Sequence, residues 1–284
     1  MDDLLVRAAG RSEPGLEDFL NAPIRIHRHL DWRHSLDWLG TEPFFIAEKN
    51  GEVLAALACP PDPPSVAWVR LFAHSRTISA AQGWGMIFPH LRQYFRQRPG
   101  VRLVALGLQD WFEELLIASG FVSQQRIVVL DWEGDEAPAL SLADRAASPV
   151  HIRPMRAEDL AVVAAIDQAA FDPLWQISID TLQLAFQQSA VSTVAELDGQ
   201  SVGYQISTSI PFSGHLARLA VMPGFQRRHI GQALVQHLMA EFLSSRVWHI
   251  TVNTQSNNWS SLALYEKLHF NRTGENYPVY ELAF

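Results

Sequence analysis

Between residues 219 and 270 the apolar positions change period several times, and each change marks an element. Leu219-Ala220-Val221 is an unbroken apolar run that stops at Pro223-Gly224, which predicts a strand ending in a turn. From Gly231 onward, Leu234, Val235, Leu238, Met239, Phe242 and Leu243 recur at three- and four-residue steps, the stripe of a helix packed on a sheet. Trp248-His249-Ile250-Thr251-Val252-Asn253 is rich in β-branched and aromatic residues and predicts a second strand. Asn257 and Asn258 then read as caps of a short helix from Ser261 to Leu268, with Phe270 at its exit.

The order strand, turn, basic loop, helix has chemical content. The first turn of a helix carries N–H groups without intrahelical acceptors and the positive end of the dipole. Phosphate and pyrophosphate bind such termini. Arg227 and Arg228 lie in the loop, and Gly231 has no Cβ to block an approaching anion. One arginine is expected to be a solvated turn residue, with Arg228 the better phosphate neighbour, since guanidinium donors suit phosphate oxygens. No Gly-Lys-Ser or Gly-Lys-Thr follows, and no Gly-x-Gly-x-x-Gly is present, so neither common nucleotide loop applies.

The segment Gln226-Arg227-Arg228-His229-Ile230-Gly231-Gln232-Ala233 resembles the acyl-CoA loop of the GCN5-related N-acetyltransferase (GNAT) family: Gln or Arg, two residues, Gly, one residue, Gly or Ala. Gln226 and Gly231 match; His229 replaces the first Gly. The family's later pattern, Asn-x-x-Ala-x-x-Leu-Tyr-x-x-Leu-Gly-Phe, is met by Asn258, Leu264, Tyr265, Leu268 and Phe270, with Ser261 for a small residue and His269 for Gly. The resemblance covers residues 150–284 well. It implies that acetyl-CoA binds along Leu219, Ala220 and Val221, the loop Gln226–Ala233, Asn258 and Ser261. It implies further that Tyr265 protonates the leaving thiolate as general acid, whereas the residue taken alone reads rather as a core tyrosine beside Leu264 and Leu268. Phe171-Asp172-Pro173-Leu174-Trp175 is either a hydrophobic plug or, as in the family, part of the acceptor pocket. A general base is needed; Glu196 and His215 are candidates only because they flank strands near the site.

Landmarks recur. Gly51 and Gly199 sit in matching strand–turn–strand signals 148 positions apart, Phe121 and Phe270 are 149 apart, and Val6-Arg7 precedes Ile152-Arg153 by 146. The expected organisation is therefore two tandem GNAT-like domains of α/β (α+β) class. Each reads as a mixed, mostly antiparallel sheet flanked by helices: residues 1–140, a linker 141–149 rich in small and turn residues, and 150–284. The first copy lacks the loop arginines and the tyrosine, though Gly85 is placed to open a helix. It is expected to be non-catalytic.

Composition narrows the rest. The formal charge of −8 over 284 residues gives no broad basic surface and argues against nucleic acid. No apolar run is long enough for a membrane span, and the start lacks the basic region of a signal peptide, so a cytoplasmic location is expected. Cys59 stands alone, in a Pro-rich stretch that suggests a surface turn. His27, His29 and His34 lack Cys or acidic partners at ligand spacing, so no metal is expected. The function expected is acyl transfer from acetyl-CoA to a primary amine of a small molecule or peptide. The alternatives are a non-catalytic acyl-CoA sensor and an interaction scaffold.

Overall fold

A computed structural model of the chain describes residues 4–22, 25–136 and 150–284. Two compact units emerge: unit 1 comprises residues 1–125 and 277–284, and unit 2 comprises 126–276. This division departs from the linear split at 140–150. The expected linker, 141–149, lies outside the described residues.

In unit 2 the strands are β8 (Val122–Glu133, from residue 126 on), β9 (His151–Pro154), β10 (Val191–Leu197), β11 (Gln200–Ile210), β12 (Ser213–Val221) and β13 (His249–Gln255). They lie in the order β8-β13-β12-β11-β10-β9. All neighbours are antiparallel except β12 and β13. The helices are α4 (Leu160–Ala170), α5 (Ile179–Gln188), α6 (Ile230–Ser244) and α7 (Trp259–Lys267). Leu234, Val235, Leu238, Met239 and Phe242 of α6 are all buried, as the stripe requires. With Leu216, Val252, Leu262, Tyr265 and Phe270 they join one apolar core, except Leu234, which packs with Ile230 and Val202 beside it.

Unit 1 repeats this plan. Its strands are β1 (Leu4–Ala8), β2 (Ile26–Arg28), β3 (Phe44–Lys49), β4 (Glu52–Ala58), β5 (Val66–Trp68), β6 (Leu71–His74) and β7 (Arg102–Leu106). Its helices are α1 (Leu16–Asn21), α2 (Ala80–Arg96) and α3 (Asp110–Ala118). The end of β14 (Asn271–Leu282) pairs with β7 through Val279–Leu282, which is why the last residues belong to unit 1. Ile127–Glu133 of β8 pairs with β13 over seven residues, which brings that segment into unit 2.

The repeat is detailed. Arg7 donates to Glu13 and Glu48, and Arg153 donates to Asp159 and Glu196 in the same pattern. Both hairpins turn through left-handed pairs, Asn50-Gly51 and Asp198-Gly199, and both carry a bulge just before the turn, at Ala47/Glu48 and Ala195/Glu196. Glycine and asparagine or aspartate tolerate that conformation best.

Two expectations for unit 1 need correction. Gly85 does not open a helix: α2 starts earlier, at Ala80, where Ser79 accepts from the Gln82 N–H and the Gln82 side chain reaches back to the Ser79 N–H. This capping box outcompetes a glycine start. Cys59 is no surface residue. It continues β4 into the core, bonds through its N–H to Pro43 C=O, and is fully buried, which pushes its thiol well above the usual range.

Candidate active site

The site begins with an irregularity in β12. Ile206 pairs with Arg218 and Ser207 with Leu216, so Ala217 is an extra residue, a bulge. A bulge bends its strand and increases local twist. On its other side β12 pairs in parallel with β13 only from Ser213↔His249 to Leu216↔Val252. Beyond that point the two strands part. β13 continues along β8 to Gln255, β12 continues along β11 to Val221, and among the described residues no strand pairs with the facing edge of 217–221. The backbone edge of Leu219, Ala220 and Val221 is thus presented to an open split.

The loop follows at once. Pro223–Phe225 form a single 3-10 turn, and the exposed Gln226 folds back to donate from Nε2 to Val221 C=O at 3.1 Å. Arg227 and His229 both hold left-handed φ of 59°. That explains why glycine is usual at the position of His229. No side-chain cap closes the start of α6; the first backbone bond across it runs from Ala233 N–H to His229 C=O. The N–H groups of Ile230, Gly231 and Gln232 therefore lack intrahelical acceptors. His229 Nδ1 lies 3.2 Å from Gln232 Oε1. Arg227 and Arg228 are exposed, and the Arg228 guanidinium lies 5.6 Å from the centre of the Phe225 ring. A methyl added at Gly231 would stand 3.4 Å from Leu264 and 3.8 Å from Val221, so the helix start, the strand end and α7 converge there.

On α7, Asn258 is the N-cap: its Oδ1 accepts from Ser261 N–H at 3.2 Å, and its amide donates to Gln255. The geometry gives Asn258 and Ser261 a helix-starting function whatever else they touch. Tyr265 is 3% exposed, its ring tilted against Phe270 at 5.6 Å. Among the described residues its hydroxyl has no hydrogen-bond partner, and burial raises its pKa, so it stays protonated. The core reading and the donor reading of this tyrosine therefore describe different atoms. His269, where glycine is usual, sits at φ 64° just past the helix, and Phe270 N–H bonds back to Tyr265 C=O.

The two base candidates separate. Glu196 is held by Arg153, which keeps its carboxyl below the usual range and ties it to a structural clamp. His215 is half-buried on β12 with Nδ1 2.8 Å from Thr251 Oγ1, and burial lowers its pKa.

Sequence reasoning missed a buried cluster beside the bulge. Arg218 donates to the Asp167 carboxylate, to Tyr204 Oη (3.1 Å) and to Trp175 C=O (2.6 Å), and its guanidinium lies 4.1 Å from the Phe171 ring centre. Tyr204 donates to the same carboxylate, and Ile177 N–H bonds its other oxygen. This ties the segment 171–177 to β12. The signal was present: Asp167 and Arg218 are single charges inside apolar runs, which rarely happens unless the charges are paired.

Residues 160–270, all within unit 2, match the family model described as the acetyltransferase (GNAT) family. This segment belongs to the GNAT family. A stretch of 74 residues is 32% identical to the [ribosomal protein bS18]-alanine N-acetyltransferase of Salmonella typhimurium and 31% to that of Escherichia coli. Each match covers 26% of this chain and 50% of the relative, so the chain spans about half the length of these curated relatives. Over the whole length, the fold matches a tandem GNAT protein from the clavulanic acid biosynthesis pathway (TM-score 0.65, 15% identity, 99% of this chain and 98% of that one). A GNAT protein from Sphaerobacter thermophilus matches similarly (TM-score 0.62, 15% identity, 98% and 95%). At these identities the likeness is one of fold: two tandem GNAT-like domains, as the internal spacing predicted.

Proposed function

We propose that unit 2 transfers an acyl group, acetyl in the first instance, from acyl-CoA to a primary amine. The observation that carries this reading is the split between β12 and β13 at the Ala217 bulge, flanked by the uncapped start of α6. An extended pantetheine chain fits beside a free strand edge, where backbone groups pair with its amides. The pyrophosphate then meets the N–H groups of Ile230–Gln232 with Arg228 alongside. The loop and strand position the donor. N–H groups of the bent strand stabilise the oxyanion of the tetrahedral intermediate, and Tyr265 delivers a proton to the departing thiolate.

The acceptor face is the side of the sheet carrying α4 and the segment 171–177. The curated relatives are named as alanine N-acetyltransferases of ribosomal protein bS18, so an alanine-initiated peptide is a first acceptor to try, beside polyamines and small amines. No helix among the described residues is long and apolar enough to cross a membrane, and a reaction in the cytoplasm fits the family's cosubstrate. The residues present offer a place for acyl-CoA and use no metal in the steps described.

The test is release of thiol from acetyl-CoA by the full chain with a panel of amines. Acceptor-dependent release supports the reading. Tight CoA binding without release from any amine favours an acyl-CoA sensor, and absence of binding favours a scaffold.

A further inference from the structure

We infer that His215 is the general base that takes the proton from the acceptor amine. The inference rests on the acyl transfer proposed above and names the group that reading left open.

Position comes first. Gly214 has no room for a side chain against Phe242 of α6, and Leu216 packs in the same core, so these two residues face α6. His215, between them, points to the opposite face, where Arg218 meets Asp167 of α4. It lies in the last pair but one before β12 and β13 separate. The imidazole therefore stands at the apex of the split, on the acceptor side, two residues from the bulged Ala217.

Protonation comes next. Thr251 has one hydroxyl proton and places it toward Gly214 C=O at 3.3 Å. With that proton so placed its oxygen is the acceptor at 2.8 Å from His215 Nδ1, and we assign the ring proton to Nδ1 and the lone pair to Nε2. The groups around the ring do not charge it. Thr208 pairs with it from β11 and Thr251 from β13, both neutral. Arg218 on the same face is neutralised by Asp167. Asp131 of β8 lies beyond Thr251, paired with His249 at 3.5 Å. Burial lowers the pKa further, so the ring is a neutral base at physiological pH. Glu196 is clamped by Arg153 and Tyr265 is held protonated, so neither combines these properties.

The step balances. The neutral amine nitrogen attacks the thioester carbonyl carbon, and its proton passes to His215 Nε2 as the N–C bond forms. The intermediate collapses, the C–S bond breaks, and the thiolate takes the Tyr265 proton. His215 returns one proton to solvent and Tyr265 regains one, so amine and acyl-CoA become amide and CoA thiol with no net proton change.

The test uses the full chain, acetyl-CoA and an alanine-initiated peptide or the best amine of the panel. Expressed per concentration of neutral amine, so that the acceptor's own ionisation is removed, wild-type kcat/KM should fall on the acid side with unit slope. His215→Gln should lower kcat/KM by roughly 10²–10⁴-fold, abolish that acid limb, and leave the Kd for CoA unchanged. Imidazole should partly rescue His215→Ala. A variant that keeps the wild-type rate or limb overturns the inference alone. Absence of thiol release by wild type with any amine overturns the acyl-transfer reading and this inference with it. Nitrogen NMR of the wild-type ring is independent of any variant's folding: a protonated Nδ1 with bare Nε2 is expected, and a proton on Nε2 at neutral pH overturns the assignment.

Discussion

Units 1 and 2 bend the same strand at the same place and then treat the bend differently. In unit 2 the first part of β12 pairs with β13, and the second part turns away and leaves its edge open. In unit 1 three of these four strand pairs recur 148 residues earlier, as Val66↔Arg102, Ala67↔Leu103 and Trp68↔Val104. The chain then bends at Val69-Arg70 into β6. There the edge is filled. Ile26, His27 and Arg28 pair with Ala73, Phe72 and Leu71, the equivalents of Ala220, Leu219 and Arg218. His29 N–H continues the pairing to Arg70 C=O, and His27 Nε2 lies 3.2 Å from Val69 O.

The surroundings agree with that filling. Phe112 stands where unit 2 has Ser261, fully buried and stacked on His27 at 3.9 Å. Leu116 stands where unit 2 has Tyr265. Gly83, the equivalent of Gly231, is pressed against His74 and Ala55, where a methyl would meet atoms at 3.0 and 3.3 Å. Helix α2 is capped by Ser79, so its first turn has fewer free donors. Unit 1 thus keeps the strand plan around the proposed donor cleft and fills the open edge with its own chain. A fold alone does not make a site; what separates the two units is the open strand edge and the uncapped helix start of unit 2.

The comparison breaks most severely if the units are separated. A fragment from Ser148 to the C-terminus lacks Ile127–Glu133, so β13 loses its partner over seven residues and exposes an apolar edge. We expect no cooperative melt, or aggregation, against a single cooperative transition for the full chain. A fragment beginning at Arg126 should be markedly more soluble. Equal melts for all three would show that the exchanged strands are ornamental.

The next largest effect is on binding. Gly231→Val places a branched side chain between Val221 and Leu264 at the mouth of the split, and should abolish CoA binding in calorimetry without unfolding the protein. Gly83→Val should do the reverse, lowering stability through its clash with His74 while CoA binding survives. Wild type should bind one CoA per chain; a stoichiometry of two would show that β2 yields its place.

Tyr265→Phe should lower kcat by roughly 10²–10⁴-fold with CoA affinity nearly unchanged, because one hydroxyl is lost and the ring packing stays. Leu116→Tyr in unit 1 should restore nothing. A normal kcat for Tyr265→Phe, with chemistry rate-limiting, removes its acid role.

The clamps give a smaller, matched pair. Arg153 and Arg7 hold Asp159 and Glu13 below the usual carboxylate range through side-chain hydrogen bonds. A depressed folded pKa lends stability that is present above the unfolded value, about 4, and is lost as acid lowers the pH through the folded value. Arg153→Met and Arg7→Met should each cost about 1 kcal/mol near neutral pH, with the penalty shrinking below about pH 4. Arg153, the less exposed, should cost more. Urea titrations at neutral and acid pH measure both.

Much of this was legible in the sequence because it depends on local chemistry. The αL turns at Gly51 and Gly199, the apolar stripe of α6 and the histidines in glycine positions all show in residue type. The strand exchange was not legible, since β8 and β14 read as closing strands wherever they pair. Nor was the filling of unit 1: His27 and His29 alternate like any strand, and only the fold shows which edge that strand covers. The lone charges of Asp167 and Arg218 inside apolar runs announce buried partners, but the two lie 51 residues apart, and no local spacing says that they pair with each other and with Tyr204.

The smallest effect tests whether His269, in a position usually held by glycine, carries backbone strain. Gly120 and His269 occupy the same position 149 residues apart, just past the helix, at φ 89° and 64°. Both are followed by a buried phenylalanine whose N–H bonds back five residues, Phe121 to Leu116 and Phe270 to Tyr265. A side chain at this helix exit costs roughly 1 kcal/mol relative to glycine, partly offset by glycine's greater freedom in the unfolded chain. His269→Gly should therefore stabilise the protein by about 0.5–1 kcal/mol, and Gly120→His should destabilise it by a similar amount. The side chain at 120 would have space, since the nearest neighbour of an added methyl is Leu282 at 3.8 Å, so crowding does not confuse the reading. Urea midpoints that move in opposite directions by similar amounts show that the cost is backbone conformation common to both units. If His269→Gly instead destabilises, the histidine has a favourable contact at that exit that outweighs its strain, and the two helix ends are alike in geometry only.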